Sequence, residues 1–128
     1  MRLIVDTHAL LWWWLDSPRL TDAAVAALEN QANDILVSTV SIYEYTAKFG
    51  LGKLPEAKAV VENLEMLMMR SAFVELPITH AHARAAGLLP GPHRDPFDRL
   101  LIAQAQIEKA SIVSADPVFA VYGAATVW

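Results

Sequence analysis

Two aspartates stand three residues apart in the stretch HRDPFDRLLIAQA, with a proline between them. Carboxylates at this spacing suit metal or acid–base chemistry, and they suit a helix start equally well. Asp95 has the type and place of an N-cap, Pro96 of the first helical residue and Asp98 of the third. The arrangement resembles a capping box with a carboxylate at its far end. Acidic residues in a first turn are also favoured by the helix dipole. Behind them Phe97, Leu100, Leu101 and Ala105 share one helical face. Three further acids fall at marked places: Asp6 after the apolar run RLIV, Asp116 closing SIVSAD, and Glu44 inside VSTVSIYEYTAKFG.

The elements that must position these acids alternate between strand and helix. Arg2 to Val5 reads as a strand and HALLWWWL as a helix; Thr21 caps a second helix, DAAVAALEN. DILVS is the second strand. A helix over 40–49 carries Glu44 and stops at GLGKLP, where Gly50 and Gly52 act as C-terminal signals. The pattern predicts one helix over 56–70, carrying Met66, Met68 and Met69, then a strand FVELP and a helix THAHARAAGLL. LPGPHRDP is a rigid loop into the Asp95 helix, SIVSAD a fourth strand, and 125–128 a fifth.

This alternation predicts an α/β fold: a central parallel sheet of four to five strands with helices on both faces. Ligand sites in such sheets lie beyond the carboxyl ends of the strands. Asp6 and Asp116 close strands, Glu44 lies one turn into the helix after the second strand, and Asp98 opens the helix before the fourth. Taken singly, an aspartate at a strand end is a turn former or cap, and Glu44 is a solvated helix residue. Taken together, four carboxylates gathered at one edge repel one another unless a cation compensates. A set without His or Cys favours a hard cation, Mg²⁺ or Mn²⁺. The matching chemistry is phosphodiester hydrolysis.

Composition sets outer limits. With 128 residues, 55% of them hydrophobic and 19% charged, the sequence reads as one compact domain over 1–128 with apolar surface left for a partner. There is no cysteine, hence no disulfide or thiolate site. A net charge of −4 argues against holding nucleic acid by bulk electrostatics. The start MRLIVDTH carries an acid where the apolar core of a signal peptide would run, and no early stretch is long enough to span a bilayer, so a cytoplasmic protein without membrane contact is expected. Trp12, Trp13 and Trp14 lie about 100° apart on a helix and cannot all face one core. They, or the Met66–Met69 stretch, are expected to form an apolar groove for a partner or a second copy, and a homodimer is expected.

The chain resembles the PIN-domain ribonucleases of the VapC toxin type. IVDTHALLW, VSTVSIYEYTAKFGLGKL, LPGPHRDPFDRLLIAQA, SIVSADPVF and VYGAATVW carry the resemblance and cover most of the sequence in the family's order. The resemblance implies a PIN-like three-layer α/β/α sandwich, a toxin of a type II toxin–antitoxin system, Mg²⁺-dependent cleavage of RNA, and a cognate antitoxin that blocks the site. It implies that Asp6, Glu44, Asp98 and Asp116 are the metal-binding acids. Thr7 and Ser114 match hydroxyl positions beside the first and last of them. Asp95 reads as a cap first and as a ligand or ligand-orienting group second. Tyr45 stands where the family often has a smaller residue, so an altered cleft floor is expected.

Around the acids, His93 and Arg94 are candidates to contact phosphate or to orient Asp95, and Arg99 and Lys48 to supply positive charge for RNA. His8, His80 and His82 are not expected to be ligands. Two alternatives stay open: an RNA-processing PIN nuclease that is not a toxin, and a PIN-fold interaction domain without catalysis. Haloacid-dehalogenase phosphatases also begin strand–Asp, but need a second Asp where His8 stands.

Overall fold

The computed structural model describes residues 1–128. Five strands form one sheet in the order β3-β2-β1-β4-β5: β1 Arg2–Val5, β2 Asp34–Ser38, β3 Val74–Leu76, β4 Ser111–Val113 and β5 Thr126–Val127. Every pairing is parallel. The chain therefore moves outward from β1 through β2 to β3, then returns to the other side of β1 for β4. That reversal makes a switch point between β1 and β4, where the loops leaving two adjacent strands diverge and leave a crevice.

Both sheet faces are buried, as alternation along the strands requires. Leu3, Val5, Ile35, Val37 and Val113 point into one core with Leu10, Leu11, Leu28 and Tyr45. Ile4, Leu36 and Ile112 point into the other with Leu101, Ile102, Ala105 and Phe119. Helices α1 Thr7–Trp14 and α2 Asp22–Glu29 supply the first layer, and α3 Thr39–Gly50 contributes to both cores through Tyr45 and Val40. The three-layer sandwich expected from the sequence is observed.

One expected helix is two. The 56–70 stretch opens with a 3₁₀ turn at Pro55–Ala57 and continues as α4 Lys58–Glu62 and α5 Leu64–Ser71. The break is Asn63, whose backbone leaves the helical region (φ −124°, ψ 23°) while its side-chain Nδ2 donates to the Ala59 carbonyl at 2.8 Å. The side chain thus competes with the backbone for the turn's own acceptor. Helix α6 His80–Leu88 packs along α7 Pro96–Glu108, and a four-residue α8, Val118–Val121, bridges β4 and β5. No helix is long and apolar enough to cross a membrane.

The tryptophans find neighbours within the chain. Trp12 packs on Trp128 and under the Arg19 guanidinium, while Trp13 and Trp14 both pack against Phe73. Trp14 Nε1 donates to Ser71 Oγ at 3.0 Å. The tryptophan half of the expected groove is therefore folded inward. The methionine half stays open: α5 has no buried residue, Met69 is 76% exposed, and a hollow of about 490 Å³ lies between Ile42, Leu64, Met68 and Phe73.

Candidate active site

The acids gather where three helices begin beside the switch point. Asp6 ends β1 and caps α1, its Oδ1 accepting from the Ala9 amide at 2.7 Å. Asp95 caps α7, its Oδ1 accepting from the Phe97 and Asp98 amides at 2.9 and 3.3 Å. Asp116 Oδ1 accepts from the Val118 amide at 3.0 Å at the start of α8. The capping role and the site role are therefore compatible. One carboxylate oxygen satisfies a helix start, which leaves its twin for other partners.

Asp6, Glu44, Asp95, Asp98 and Asp116 line one cleft of about 120 Å³, together with Thr7, His8, Lys48 and Leu101. Larger hollows exist, one of about 560 Å³ beside Leu88, Pro90 and Tyr122, but none gathers the acids. Each acid carries its own local partner. Glu44, buried, accepts from the Thr7 hydroxyl on Oε1 at 2.8 Å and from Lys48 Nζ on Oε2 at 2.7 Å. Ser114 Oγ donates to Asp6 Oδ2 and accepts from the Asp116 amide at 3.0 Å, so one hydroxyl ties the two strand-end acids together. His93 Nε2 lies 2.9 Å from Asp98 Oδ2.

The electrostatics follow from this crowding. Burial pushes the Asp6 carboxyl above its ordinary range, against the lowering pull of the Ser114 and Ala9 hydrogen bonds, and the Asp98 charge pushes it further. Burial likewise raises Asp98; His93 pulls it down, while the charges of Asp95 and Asp116 push it up. Asp98 thus feels Asp6, Asp95 and Asp116, as convergence at one edge requires.

No three acidic or histidine side chains stand close enough to make a ready-formed metal cage. The donor chemistry still fits a hard divalent cation. Mg²⁺ needs only one or two carboxylates and keeps most of its water, and the cleft offers oxygen donors from several elements. In the structure Glu44 is held by Lys48 and the Thr7 hydroxyl, and Asp6 by the Ser114 hydroxyl.

Some expectations about individual residues are corrected. Arg99 does not face the cleft: its guanidinium donates to the carbonyls of His93 (3.0 Å), Ala86 (3.0 Å) and Leu89 (2.5 Å), clamping the 89–93 loop to α6. His93 orients Asp98 rather than Asp95. Tyr45 does not reach the cleft floor. It is fully buried in the first core, and desolvation pushes its phenol up to about 12. Arg94 is exposed on the loop. His8, two residues after Asp6, lines the cleft. His82 is buried and closes a capping box with Thr79, its Nδ1 accepting from the Thr79 amide at 3.1 Å.

Comparison with known proteins agrees with this architecture. The VapBC2 complex from Rickettsia felis, crystallised with a DNA fragment from its promoter, contains a chain that superposes with a TM-score of 0.69 at 16% identity, over 98% of this chain and 97% of that one. FitAcB from Neisseria gonorrhoeae gives 0.67 at 18% identity over 97% and 95%. FitAB bound to an IR36 DNA fragment gives 0.67 at 18% over 97% and 92%. No curated protein matches the sequence. The sequence model of the PIN domain matches residues 3–125, nearly the whole length, and the chain belongs to the PIN domain family.

Proposed function

We propose that this protein is the toxin of a type II toxin–antitoxin pair, a cytoplasmic Mg²⁺-dependent endoribonuclease kept silent by a cognate antitoxin. PIN domains are generally nucleases that use divalent metals. The observation that carries the reading is the cleft at the β1/β4 switch point, lined by acids from separate segments of the chain. The VapBC and FitAB chains that share the fold support the toxin assignment over a housekeeping nuclease.

Asp6, Glu44, Asp98 and Asp116 would hold the cation, with Asp95 behind Asp98 as its helix cap. When bound, the cation supplies a water acidic enough to attack a phosphodiester at neutral pH and offsets charge on the phosphate. The chain's own residues make that site rigid. Thr7 fixes one oxygen of Glu44, Ser114 fixes Asp6 and the Asp116 backbone, and His93 fixes Asp98. The exposed methionine face of α5 and its hollow offer an apolar surface for the antitoxin or a second copy, and we propose a homodimer in the complex.

Expression with and without the neighbouring antitoxin gene tests this reading. Growth should stop when the protein is expressed alone and recover with the antitoxin, with new RNA 5′ ends mapping to the arrested cells. Unimpaired growth with abundant soluble protein would contradict it.

A further inference from the structure

We propose that Lys48 is a resident counterion that occupies Glu44 in the metal-free protein, yields it to the divalent cation, and then binds a phosphate of the RNA. The inference rests on the metal-dependent reading above. Lys48 and Glu44 are four residues apart on α3, so both project from one face toward the cleft, and Nζ lies 2.7 Å from Glu44 Oε2. The other oxygen of Glu44 is held by Thr7, which leaves Oε2 as the exchangeable position.

The two ends of this ion pair differ in freedom. The Glu44 side chain is 9% exposed and that of Lys48 42%, so the carboxylate is fixed while the ammonium can leave on its flexible stem. Lys48 is also the only lysine or arginine among the residues lining the cleft, against five carboxylates. Arg99, the neighbouring cation on α7, is tied to three backbone carbonyls. An anionic backbone entering an acidic cleft needs a cation from the protein, and Lys48 is placed to supply it once the metal takes Glu44 Oε2. The same side chain would thus disfavour metal binding in the resting protein and favour substrate binding in the loaded one.

Lys48→Met keeps the length and helix propensity of the side chain and removes its charge. Mn²⁺ binding followed by electron paramagnetic resonance, without RNA, should be about two- to fivefold tighter in Lys48→Met than in wild type, the scale of a partly exposed ion pair. Cleavage of a short single-stranded RNA should show a raised KM, with the salt dependence of log KM shallower by about 0.7, the loss of one phosphate contact on a single strand. Lys48→Arg should restore both toward wild type. Equal or weaker Mn²⁺ binding by a folded Lys48→Met overturns the handover, and an unchanged KM and salt slope overturn the phosphate contact. A folded wild-type protein that binds no Mn²⁺ would instead defeat the metal-dependent reading itself.

Discussion

His93 Nε2 stands 2.9 Å from Asp98 Oδ2, across the junction between the 89–93 loop and α7. The loop is held so that this contact persists: the His93 amide donates to the Tyr122 hydroxyl at 3.1 Å, and its carbonyl accepts from Arg99 at 3.0 Å. A histidine expected from the sequence to touch phosphate or orient Asp95 is thus the partner of Asp98 instead. His93→Ala should leave the fold intact and weaken Mn²⁺ binding by about tenfold, the usual cost of losing a partner behind a metal ligand. Unchanged Mn²⁺ affinity, measured by calorimetry, would remove His93 from the site.

The crowded acids predict an unusual pH dependence for the metal-free protein. In the unfolded chain Asp6 titrates near the ordinary 3.8, and in the folded chain burial raises it. Between those values the folded state binds more protons than the unfolded one, so stability falls as pH rises. The contribution is fully present below the unfolded value and lost as pH climbs through the folded one. Asp6→Asn, which keeps the cap, carries no such proton. In EDTA, the melting temperature of wild type relative to Asp6→Asn should decline with rising pH and then level off. A difference that stays constant, or that grows, would contradict the buried acid.

Arg99 makes a separate prediction about scaffold. Three carbonyls accept from one guanidinium, and a lysine cannot reach all three. Arg99→Lys and Arg99→Met should both lower stability, the latter by about 2–4 kcal/mol for the lost charge-assisted hydrogen bonds. Chemical denaturation measures this. A loss of RNA affinity without loss of stability would restore Arg99 to the phosphate-binding role.

What the sequence made legible follows from the range of each signal. Strand–helix alternation and the apolar runs of β1, β2 and β4 are strong local signals, and they led correctly to a parallel sheet with helices on both faces. The acids at strand ends come to line one cleft because sheet topology turns sequence position into place. The break at Asn63 was hidden by the strong helix formers that follow it, Leu64 to Arg70, and by helical segments on both sides, Lys58–Glu62 and Leu64–Ser71. Helix α8 is too short for periodicity to show, although Asp116 and Pro117 mark its start. At Asp6 and Asp95 the sequence signal for a helix cap coincides with that for a site acid, and the two oxygens of a carboxylate allow both roles. The fate of Arg99 was out of reach, because its carbonyl partners on α6 and the loop are set only by tertiary packing.

If these carboxylates serve a metal-dependent cleavage of RNA, Asp98→Asn and Asp95→Asn must differ in activity. Asparagine caps a helix about as well as aspartate, so a purely structural role predicts little effect at either position. Purified wild type should cleave end-labelled single-stranded RNA in Mg²⁺ or Mn²⁺ and stop in EDTA. Asp98→Asn should lose orders of magnitude of that activity and most of the melting-temperature gain from Mg²⁺, while Asp95→Asn keeps a substantial share of both. Cleavage by Asp98→Asn at the wild-type rate, or cleavage by wild type undiminished in excess EDTA, would rule out metal-dependent catalysis by these carboxylates.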